Sequence, residues 1–416
     1  MTHAVRGQRN LVVVKTLTYL MFAMFAMTTD SVGLIIPELI RTFQLSLTSA
    51  GTFQYATMTG IALAGLLLGQ LADRFGRRAT IVAGLTLFAA ACFLLAAGNS
   101  LMVFAVLMGL SGLAIGVFKT GALALIGDIS TSSAQHTAIM NTAEGFFGIG
   151  AIIGPAILAR LLAEGLPWTW LYVVAGSVCV ALIVLALLVK YPEAAAPAGG
   201  GFGGSSRAIK NPYVLAFSAA AFLYVGVEAA VYVWMPTLLA GYTGPAVTMA
   251  LYSLSIFFLL RAAGRFVGAW MLTRYRWQPV LALFSGSILA CFVLSATRGV
   301  TWAVYLLPLS GLFMSVIYPT INSKGISCLP RSAHGAGAGV ILFFTCVSAV
   351  VAPMAIGAVG DATGDIAYGF WLATGAALLL FVGLLLNWLF NPTRAVLERL
   401  DALEYGSAAP KSGIPA

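Results

Sequence analysis

Long apolar blocks fill most of the chain, and polar residues interrupt them at regular intervals. A helix that rises about 1.5 Å per residue needs about 20 apolar residues to cross a bilayer, and each block is near that length. The blocks, numbered spans 1 to 12, lie near residues 14–38, 48–72, 79–98, 101–126, 137–162, 168–189, 212–239, 247–272, 278–297, 301–323, 336–358 and 367–389. Unbroken apolar runs do not fit the alternating pattern of a membrane β-barrel. The pattern predicts an all-α integral membrane protein with 12 transmembrane helices.

Composition narrows the class of protein further. Hydrophobic residues make up 60% of the chain and charged residues 8%, whereas soluble domains carry roughly 25% charged residues. The polar segments are too short to hold a sensor or catalytic domain. No C-x-x-C pair and no zinc, haem, phosphate-loop or nucleophile-elbow pattern occurs in the sequence. We therefore expect no cofactor, no metal site, no use of ATP and no enzymatic activity.

Lysine and arginine are distributed unevenly between alternate connections. If both termini are cytoplasmic, the inner connections hold most of the 22 basic residues, and the outer ones hold only Arg41, Arg160 and Arg298. This bias follows the positive-inside rule and predicts a multi-pass inner or plasma membrane protein in that orientation. The net charge of +9 then reflects attraction to an anionic leaflet rather than binding to nucleic acid. We expect a monomer.

The segment from Ala194 to Ser206 is rich in Ala, Pro, Gly and Ser, a composition typical of a flexible tether. It divides the chain into an N-terminal six-helix bundle (1–190), a cytoplasmic linker (191–211), a C-terminal six-helix bundle (212–390) and a cytoplasmic tail (391–416). When Asp30 is aligned with Glu228, further pairs coincide to within one position: Pro37 with Pro236, Pro155 with Pro353, and Gly65 and Gly69 with Gly264 and Gly268. The halves are predicted to be a duplication, and these glycines to allow close approach of neighbouring helices.

A charged turn follows span 2, with the sequence Gly69-Gln70-Leu71-Ala72-Asp73-Arg74-Phe75-Gly76-Arg77-Arg78. It resembles the G-x-L-a-D-r-x-G-r-k loop between the second and third spans of major facilitator superfamily transporters. Every specified position is met, with Arg78 in place of Lys. The resemblance implies two pseudo-symmetric six-helix bundles with a substrate site between them near the bilayer midplane.

The same turn predicts a conformational gate at the inner surface. Asp73 suits the N-terminus of a helix in the other half, and an arginine of the turn can pair with Asp128 at the inner end of span 4. A role of the arginines in anchoring the topology is an alternative that is compatible with gating. The predicted gate residues are Gly69, Asp73, Arg74, Gly76, Arg77, Arg78, Asp128 and Arg265.

Lys119 in span 4 and Glu144 in span 5 are ionisable residues at similar depth. Each lies about 12 Å from the inner edge by helical rise. Charges at depth are costly and are normally paired across a cavity. Because spans 4 and 5 are consecutive and antiparallel, we expect an ion pair, either as a static packing contact or as part of the transport cycle.

Asp30 and Glu228 occupy equivalent places in spans 1 and 7 and are predicted to be the proton-coupling or substrate groups. A proline follows each of them and can bend the helix around a central cavity. A carboxyl group facing such a cavity can exchange a proton for a cationic partner. A carboxyl that is hydrogen-bonded to a neighbouring helix without titrating is the alternative for both. Arg261 is predicted to lie within reach of Glu228.

Several aromatic and amide side chains are predicted to line the substrate cavity. They offer stacking faces and hydrogen bonds to a polyhydroxylated ligand. Each of them alone could equally be structural, since most aromatic residues of membrane proteins face lipid or the interface. The set comprises Gln54, Tyr224, Tyr232, Trp234, Tyr318 and Asn322.

Three stretches of the second half are similar to the fucose/glucose permease group of the superfamily. They are Tyr224–Glu228 with Trp234–Pro236, Gly311–Ile321, and Ala352-Pro353 with Gly357 and Asp361. The resemblance implies proton- or sodium-coupled uptake of a monosaccharide. Lys119 replaces the acid that the group has in span 4, and a lysine would suit a carboxylate-bearing ligand. The predicted function is secondary active transport of a sugar or organic acid, by proton-coupled symport.

Proton-driven efflux of drugs or metabolites is the alternative function. Gly150-Ala151-Ile152-Ile153-Gly154-Pro155 in span 5 partly matches the G-x-x-x-G-P signature of drug/proton antiporters. Leu158 and Ala159 stand where that signature continues with glycines, and Met108 stands where the antiporters have arginine. Under both functions the expected partners are a small-molecule substrate, a proton or a sodium ion, and the lipid bilayer.

Overall fold

The computed structural model describes residues 2–68, 71, 75–129, 133–191, 209–329 and 334–405, and these residues form helices without any strand. A π-helical segment, Ala230–Trp234, continues one of the helices. The α-helices are Thr2–Thr29, Val32–Phe43, Leu47–Ala50, Thr52–Leu67, Arg77–Ala97, Leu101–Asp128, Ser133–Ala163, Trp170–Leu188, Pro212–Ala229, Met235–Leu239, Val247–Leu251, Ser253–Arg274, Trp277–Arg298, Val300–Met314, Ile317–Ser327, His334–Thr363, Ile366–Phe390 and Arg394–Tyr405.

Within the described part of the chain, 11 helical segments are long and apolar enough to cross a membrane. Span 2 is represented by Thr52–Leu67, which has 16 residues and is followed by positions outside the described residues. The predicted all-α membrane fold is confirmed, and the segments agree with a twelve-span architecture.

Several observed helices extend beyond the predicted spans, and two of them continue past an internal proline. Span 1 runs to Phe43, beyond Pro37, and span 11 runs to Thr363, beyond Pro353. A proline removes one backbone hydrogen bond and bends a helix, but packing on both sides can hold the helix together.

Most of the predicted linker, residues 192–208, lies outside the described residues, as do the last residues of the tail, 406–416. The described part of the tail forms the helix Arg394–Tyr405. The division into two bundles at the linker stays a prediction.

The pattern of helix contacts repeats between the two halves of the chain. In the first half, span 4 packs on spans 2 and 3, span 5 packs on span 1, and span 6 packs on spans 3 and 1. In the second half, span 10 packs on spans 8 and 9, span 11 packs on span 7, and span 12 packs on spans 9 and 7. The same pairings six spans apart support the predicted duplication.

Glycines mark the closest helix contacts, although not at every predicted position. Among the described residues, a Cβ atom built at Gly65 would meet no atom within 4 Å, so the prediction of a close helix contact there is wrong. Span 2 instead approaches span 4 at Gly112, which lies against the carbonyl of Thr57. The counterpart Gly264 does pack as predicted, against the carbonyl of Leu312 in span 10. The spacing of the glycines predicts that they lie on one side of the helix. It does not predict which neighbouring helix that side faces.

Span 5 packs directly against the backbone of span 1. Gly150 lies against the carbonyl of Ala23, and Gly154 lies one turn further along against the carbonyl of Met27. The glycines of the G-x-x-x-G-P segment therefore form a helix contact within the first half.

We expect Gly150→Ala to destabilise the protein, because the added methyl group would overlap the backbone of Ala23, which cannot rotate away. Overpacking of this kind costs about 1–3 kcal/mol, more than the gain in helix propensity from alanine. Gly148→Ala is the matched control, since a Cβ atom there would meet nothing within 4 Å. Thermal unfolding in detergent should show a lower Tm for the first variant only, and equal Tm values would contradict the contact.

Among the described residues, three pairs of spans form the main contacts between the two halves. Spans 1 and 7 cross where Gly33 lies against the backbone carbonyl of Tyr232. Spans 2 and 11 pack together, and so do spans 5 and 8, their counterparts under the repeat.

The molecule has two ends. The Asp361 end carries the connections after spans 1 and 11, and the Arg77 end is the opposite end.

Candidate functional site

Spans 1 and 7 both lose regular α-helical structure beside their carboxylate. Span 1 breaks at Asp30 and Ser31, between two helices, and span 7 changes to π-helix at Ala230, two residues after Glu228. The bend in span 7 has a local cause, because Pro236 has no N–H to donate to the carbonyl of Tyr232. Breaks of this kind recur at functional sites and direct side chains and free carbonyls into the space between helices.

Glu228 forms a buried ion pair with Arg261 of span 8. The distance between Arg261 Nη2 and Glu228 Oε1 is 2.6 Å, and Glu228 is 7% exposed. The Tyr224 hydroxyl lies 3.0 Å from the same Oε1 and 2.9 Å from the carbonyl of Met314, so it can donate to either acceptor. The predicted contact between Glu228 and Arg261 is confirmed, and it joins spans 7, 8 and 10.

Asp30 lies half-buried at the break in span 1. Its Oδ2 accepts a hydrogen bond of 3.0 Å from the Thr29 hydroxyl. No lysine or arginine of the described residues lies within ion-pair distance of it. The charges of Arg261, Glu228 and Lys119 nevertheless act on this carboxyl group. Among the described residues, Asp30 is therefore an acid without a paired cation, and it interacts electrostatically with the acid–base pair of the other half.

The predicted ion pair between Lys119 and Glu144 does not form. Lys119 Nζ lies 5.4 Å from the ring centroid of Phe147, and Glu144 is exposed. The charge of Glu144 acts on Arg261 and Arg265 instead. The prediction failed because consecutive spans were taken as packed neighbours, whereas span 5 packs chiefly on span 1 and on span 8 of the other half.

Gln54 and Tyr232 of the predicted cavity set meet across the two halves. Gln54 is fully buried, and its Nε2 donates to the Tyr232 hydroxyl at 3.1 Å. Gln54 Oε1 has no hydrogen-bond partner in the described residues, and the same holds for Arg261 Nε. Because buried polar atoms are normally paired, these two atoms are available to a polar ligand or to water.

The other cavity candidates differ in their surroundings. Tyr318 stacks on Tyr224 at 6.2 Å between ring centroids, and Asn322 lies half-buried one turn further along span 10. Trp234 is fully buried, and its Nε1 donates to the carbonyl of Pro353 at 2.9 Å. Trp234 thus holds span 7 against span 11 in this conformation and does not face an open cavity.

At the Arg77 end, Arg77 Nε lies 2.8 Å from Asp128 Oδ2, and both side chains are buried. This confirms the predicted pairing of an arginine of the turn with Asp128. Arg78 donates instead to the carbonyl of Leu187 in span 6. Gly76 has a φ of +87°, a conformation that favours glycine, so the turn requires glycine at this position.

Three of the predicted gate residues, Gly69, Asp73 and Arg74, lie outside the described residues. Arg265 lies half-buried in span 8, where the charges of Arg261 and Glu144 act on it. The assignment of Arg265 to the gate stays a prediction.

The contact at the Asp361 end was not predicted as a functional feature. Asp361 of span 11 accepts hydrogen bonds from the backbone amides of Leu47 and Thr48 at 2.5 and 2.8 Å. These amides belong to the first turn of a helix in the other half, where an anion is stabilised by the helix dipole. The contact therefore ties the two halves together at this end of the molecule.

Two sequence signals could have identified Gly33 and Asp361 as contacts between the two halves. Gly33 stands four residues before Pro37, where the proline frees a backbone carbonyl and a glycine allows another helix to approach. Asp361 is an acid at the end of a long apolar run, and the connection between spans 1 and 2, at the same end of the molecule, includes Ser46, a helix-capping residue type.

A family model described as the Major Facilitator Superfamily matches residues 18–353. The chain is 25% identical over 390 residues to the L-fucose-proton symporter of Escherichia coli, across 83% of this chain and 86% of that protein. It is 27% identical over 379 residues to a glucose/galactose transporter of Brucella abortus, across 86% of this chain and 90% of that protein.

The fold is also similar to a solved structure of the nucleoside transporter NupG, with a TM-score of 0.72 at 15% identity, across 91% of this chain and 99% of that chain. The relatives bear out the similarity to the fucose/glucose permease group, and they are transporters rather than enzymes. Because the family model spans most of the chain, the protein belongs to the major facilitator superfamily of multi-span membrane transporters.

Proposed function

We propose that the protein takes up a small polar, polyhydroxylated solute together with a proton by alternating access. The supporting observation is the buried Glu228–Arg261 pair. Tyr224 contacts this pair, and the charges of the pair act on Asp30 of the other half. Both halves therefore contribute charged groups to one site, as a rocking mechanism requires.

The unpaired atoms of this site favour a hydrogen-bonding ligand. Gln54 Oε1 accepts and Arg261 Nε donates, and neither has a partner among the described residues. Tyr318 and Tyr224 add a stacked aromatic surface, which suits the apolar face of a sugar-like ring. The names of the relatives, an L-fucose-proton symporter and a glucose/galactose transporter, agree with such a ligand.

Asp30 is the group to which we assign the coupled proton. Glu228 is already compensated by Arg261, whereas among the described residues Asp30 accepts a side-chain hydrogen bond only from the Thr29 hydroxyl. A carboxylate without a cation in a membrane cavity gains most from binding a proton. If the termini are cytoplasmic, as the charge bias predicts, the Asp361 end faces outward and is closed by the contact with Leu47 and Thr48.

We expect wild-type protein in proteoliposomes to accumulate solute when the outside solution is acidified, and replacing sodium by potassium to have no effect. Asp30→Asn should lower accumulation at least about tenfold, or ~1.4 kcal/mol, because the amide cannot release a proton. Exchange of labelled for unlabelled solute without a gradient should persist, because it needs no proton release. Radiolabelled uptake measures both quantities.

Glu38→Gln is the matched control, since Glu38 lies in the same span and pairs with exposed Arg41. Normal accumulation by Asp30→Asn would overturn the assignment of the proton. Extrusion of solute by the wild-type protein under the same gradient would overturn uptake as the direction of transport.

A further inference from the structure

Lys119 is a membrane-embedded cation whose charge the described residues do not compensate. No carboxylate of the described residues lies within ion-pair distance of it, and its Nζ sits 5.4 Å from the ring centroid of Phe147. A phenyl ring attracts an ammonium group much less strongly than a carboxylate does. The arrangement leaves Lys119 able to bind an anion.

The position of Lys119 connects it with the proposed transport site. Its charge acts on Asp30 in span 1 and on Cys346 in span 11, which is one group in each half. Phe147 places it beside span 5, three residues along the chain from Glu144, whose charge acts on Arg261 of span 8. A ligand held between the halves would therefore come within reach of Lys119.

The charges of the site balance only when no proton is bound. The proposed transport site holds two acids, Asp30 and Glu228, and two bases, Lys119 and Arg261. Binding one proton gives the site an excess of one positive charge. A ligand with one negative charge would restore neutrality, which lowers the electrostatic cost of moving the loaded site through a low-dielectric membrane.

We propose that the transported solute is a hydroxylated monocarboxylate whose carboxylate group pairs with Lys119. The inference rests on the proposed proton-coupled uptake and adds the charge of the substrate. Proton and substrate would then cross as a neutral pair, and uptake would not depend on the membrane potential.

The test compares neutral sugars with acids that differ from them by one carboxylate. Binding of glucose, galactose, glucuronate, galacturonate, gluconate and glycerate is measured by ligand-induced thermal stabilisation of the purified protein. The measurement is repeated with Lys119→Gln, which removes the charge, and with Lys119→Arg, which keeps it. We expect at least one acid to bind the wild-type protein and Lys119→Arg, and Lys119→Gln to bind it at least about 30-fold more weakly.

Stronger binding of a neutral sugar than of every acid would overturn the inference, and so would acid binding that Lys119→Gln leaves unchanged. Either result leaves proton-coupled uptake intact, because that proposal is tested by the gradient experiment and not by ligand charge. Uptake of a bound acid that is accelerated by an imposed membrane potential would contradict the neutral stoichiometry.

Discussion

Glu228→Gln is expected to lower solute uptake at least about 100-fold, or ~2.7 kcal/mol. The substitution keeps the shape of the side chain but leaves the guanidinium of Arg261 without its carboxylate at 2.6 Å. Because the charge of Arg261 already acts on Asp30, we expect Arg261 to turn toward that acid and occupy the proposed proton site. Uptake into proteoliposomes and exchange without a gradient should both be lost, unlike in Asp30→Asn.

Stability provides a second measurement of the same pair. Removing one partner of a buried ion pair costs about 3–5 kcal/mol, less where water reaches the partner, whereas removing both is often close to neutral. The double variant Glu228→Gln with Arg261→Gln should therefore unfold at a higher temperature than Glu228→Gln alone, while remaining inactive. Glu164→Gln is the matched control, because Glu164 pairs with Arg160 on the exposed surface, where a salt bridge contributes little. Additive losses in the double variant would contradict the coupling.

Much of this site could be predicted from one sequence because the membrane limits where charge can be placed. A carboxylate in the middle of an apolar helix is costly, so the positions of Asp30 and Glu228 within apolar runs mark them as candidate functional residues. The repeat then assigns them to equivalent spans, and helical rise places Arg261 at a depth compatible with pairing. The Glu228–Arg261 pair was found by this reasoning, whereas the pairing of Asp128 with Arg77 or Arg78 was predicted from the charged turn after span 2.

The sequence did not determine which helix faces another. Depth along the membrane normal follows from counting residues, but rotation about the helix axis and the choice of neighbour are set by packing. Lys119 and Glu144 were predicted to pair because their depths match, yet their side chains point to different partners. Trp234 was assigned to the cavity on residue type, and the structure buries it against span 11. Asp361 binds backbone N–H groups, which every residue except proline has. The residue types at positions 47 and 48 therefore do not predict this contact.

The two ends of the molecule use different chemistry to hold helices together. At the Arg77 end, Asp128 pairs with an arginine of its own half, so separation of the halves does not by itself require this contact to break. At the Asp361 end, an acid of one half binds backbone amides of the other, so the contact must break whenever that end opens. The free energy of the Asp361 contact therefore contributes directly to the equilibrium between conformations.

Asp361→Asn is expected to shift that equilibrium toward the state in which the Asp361 end is open. The asparagine side chain has one acceptor oxygen and no charge. It can therefore replace only one of the two carboxylate oxygens that accept hydrogen bonds from the backbone N–H groups of Leu47 and Thr48. Loss of a charge-assisted hydrogen bond at an exposed helix N-terminus is worth about 1–2 kcal/mol, or about a 5- to 30-fold change in the population ratio. Spin labels on cysteines placed at the exposed positions Thr42 and Thr243 would report the separation of the two halves by pulsed resonance.

Asp365→Asn is the matched control, because Asp365 caps a helix of its own half by accepting from the amide of Ala367 at 2.9 Å. That contact is retained whether the halves are together or apart, so its loss should reduce stability without changing the distance distribution. A longer distance in Asp361→Asn but not in Asp365→Asn is the expected result. Equal distributions in all three proteins would show that the packing of Gly33 against Tyr232 closes this end without the Asp361 contact.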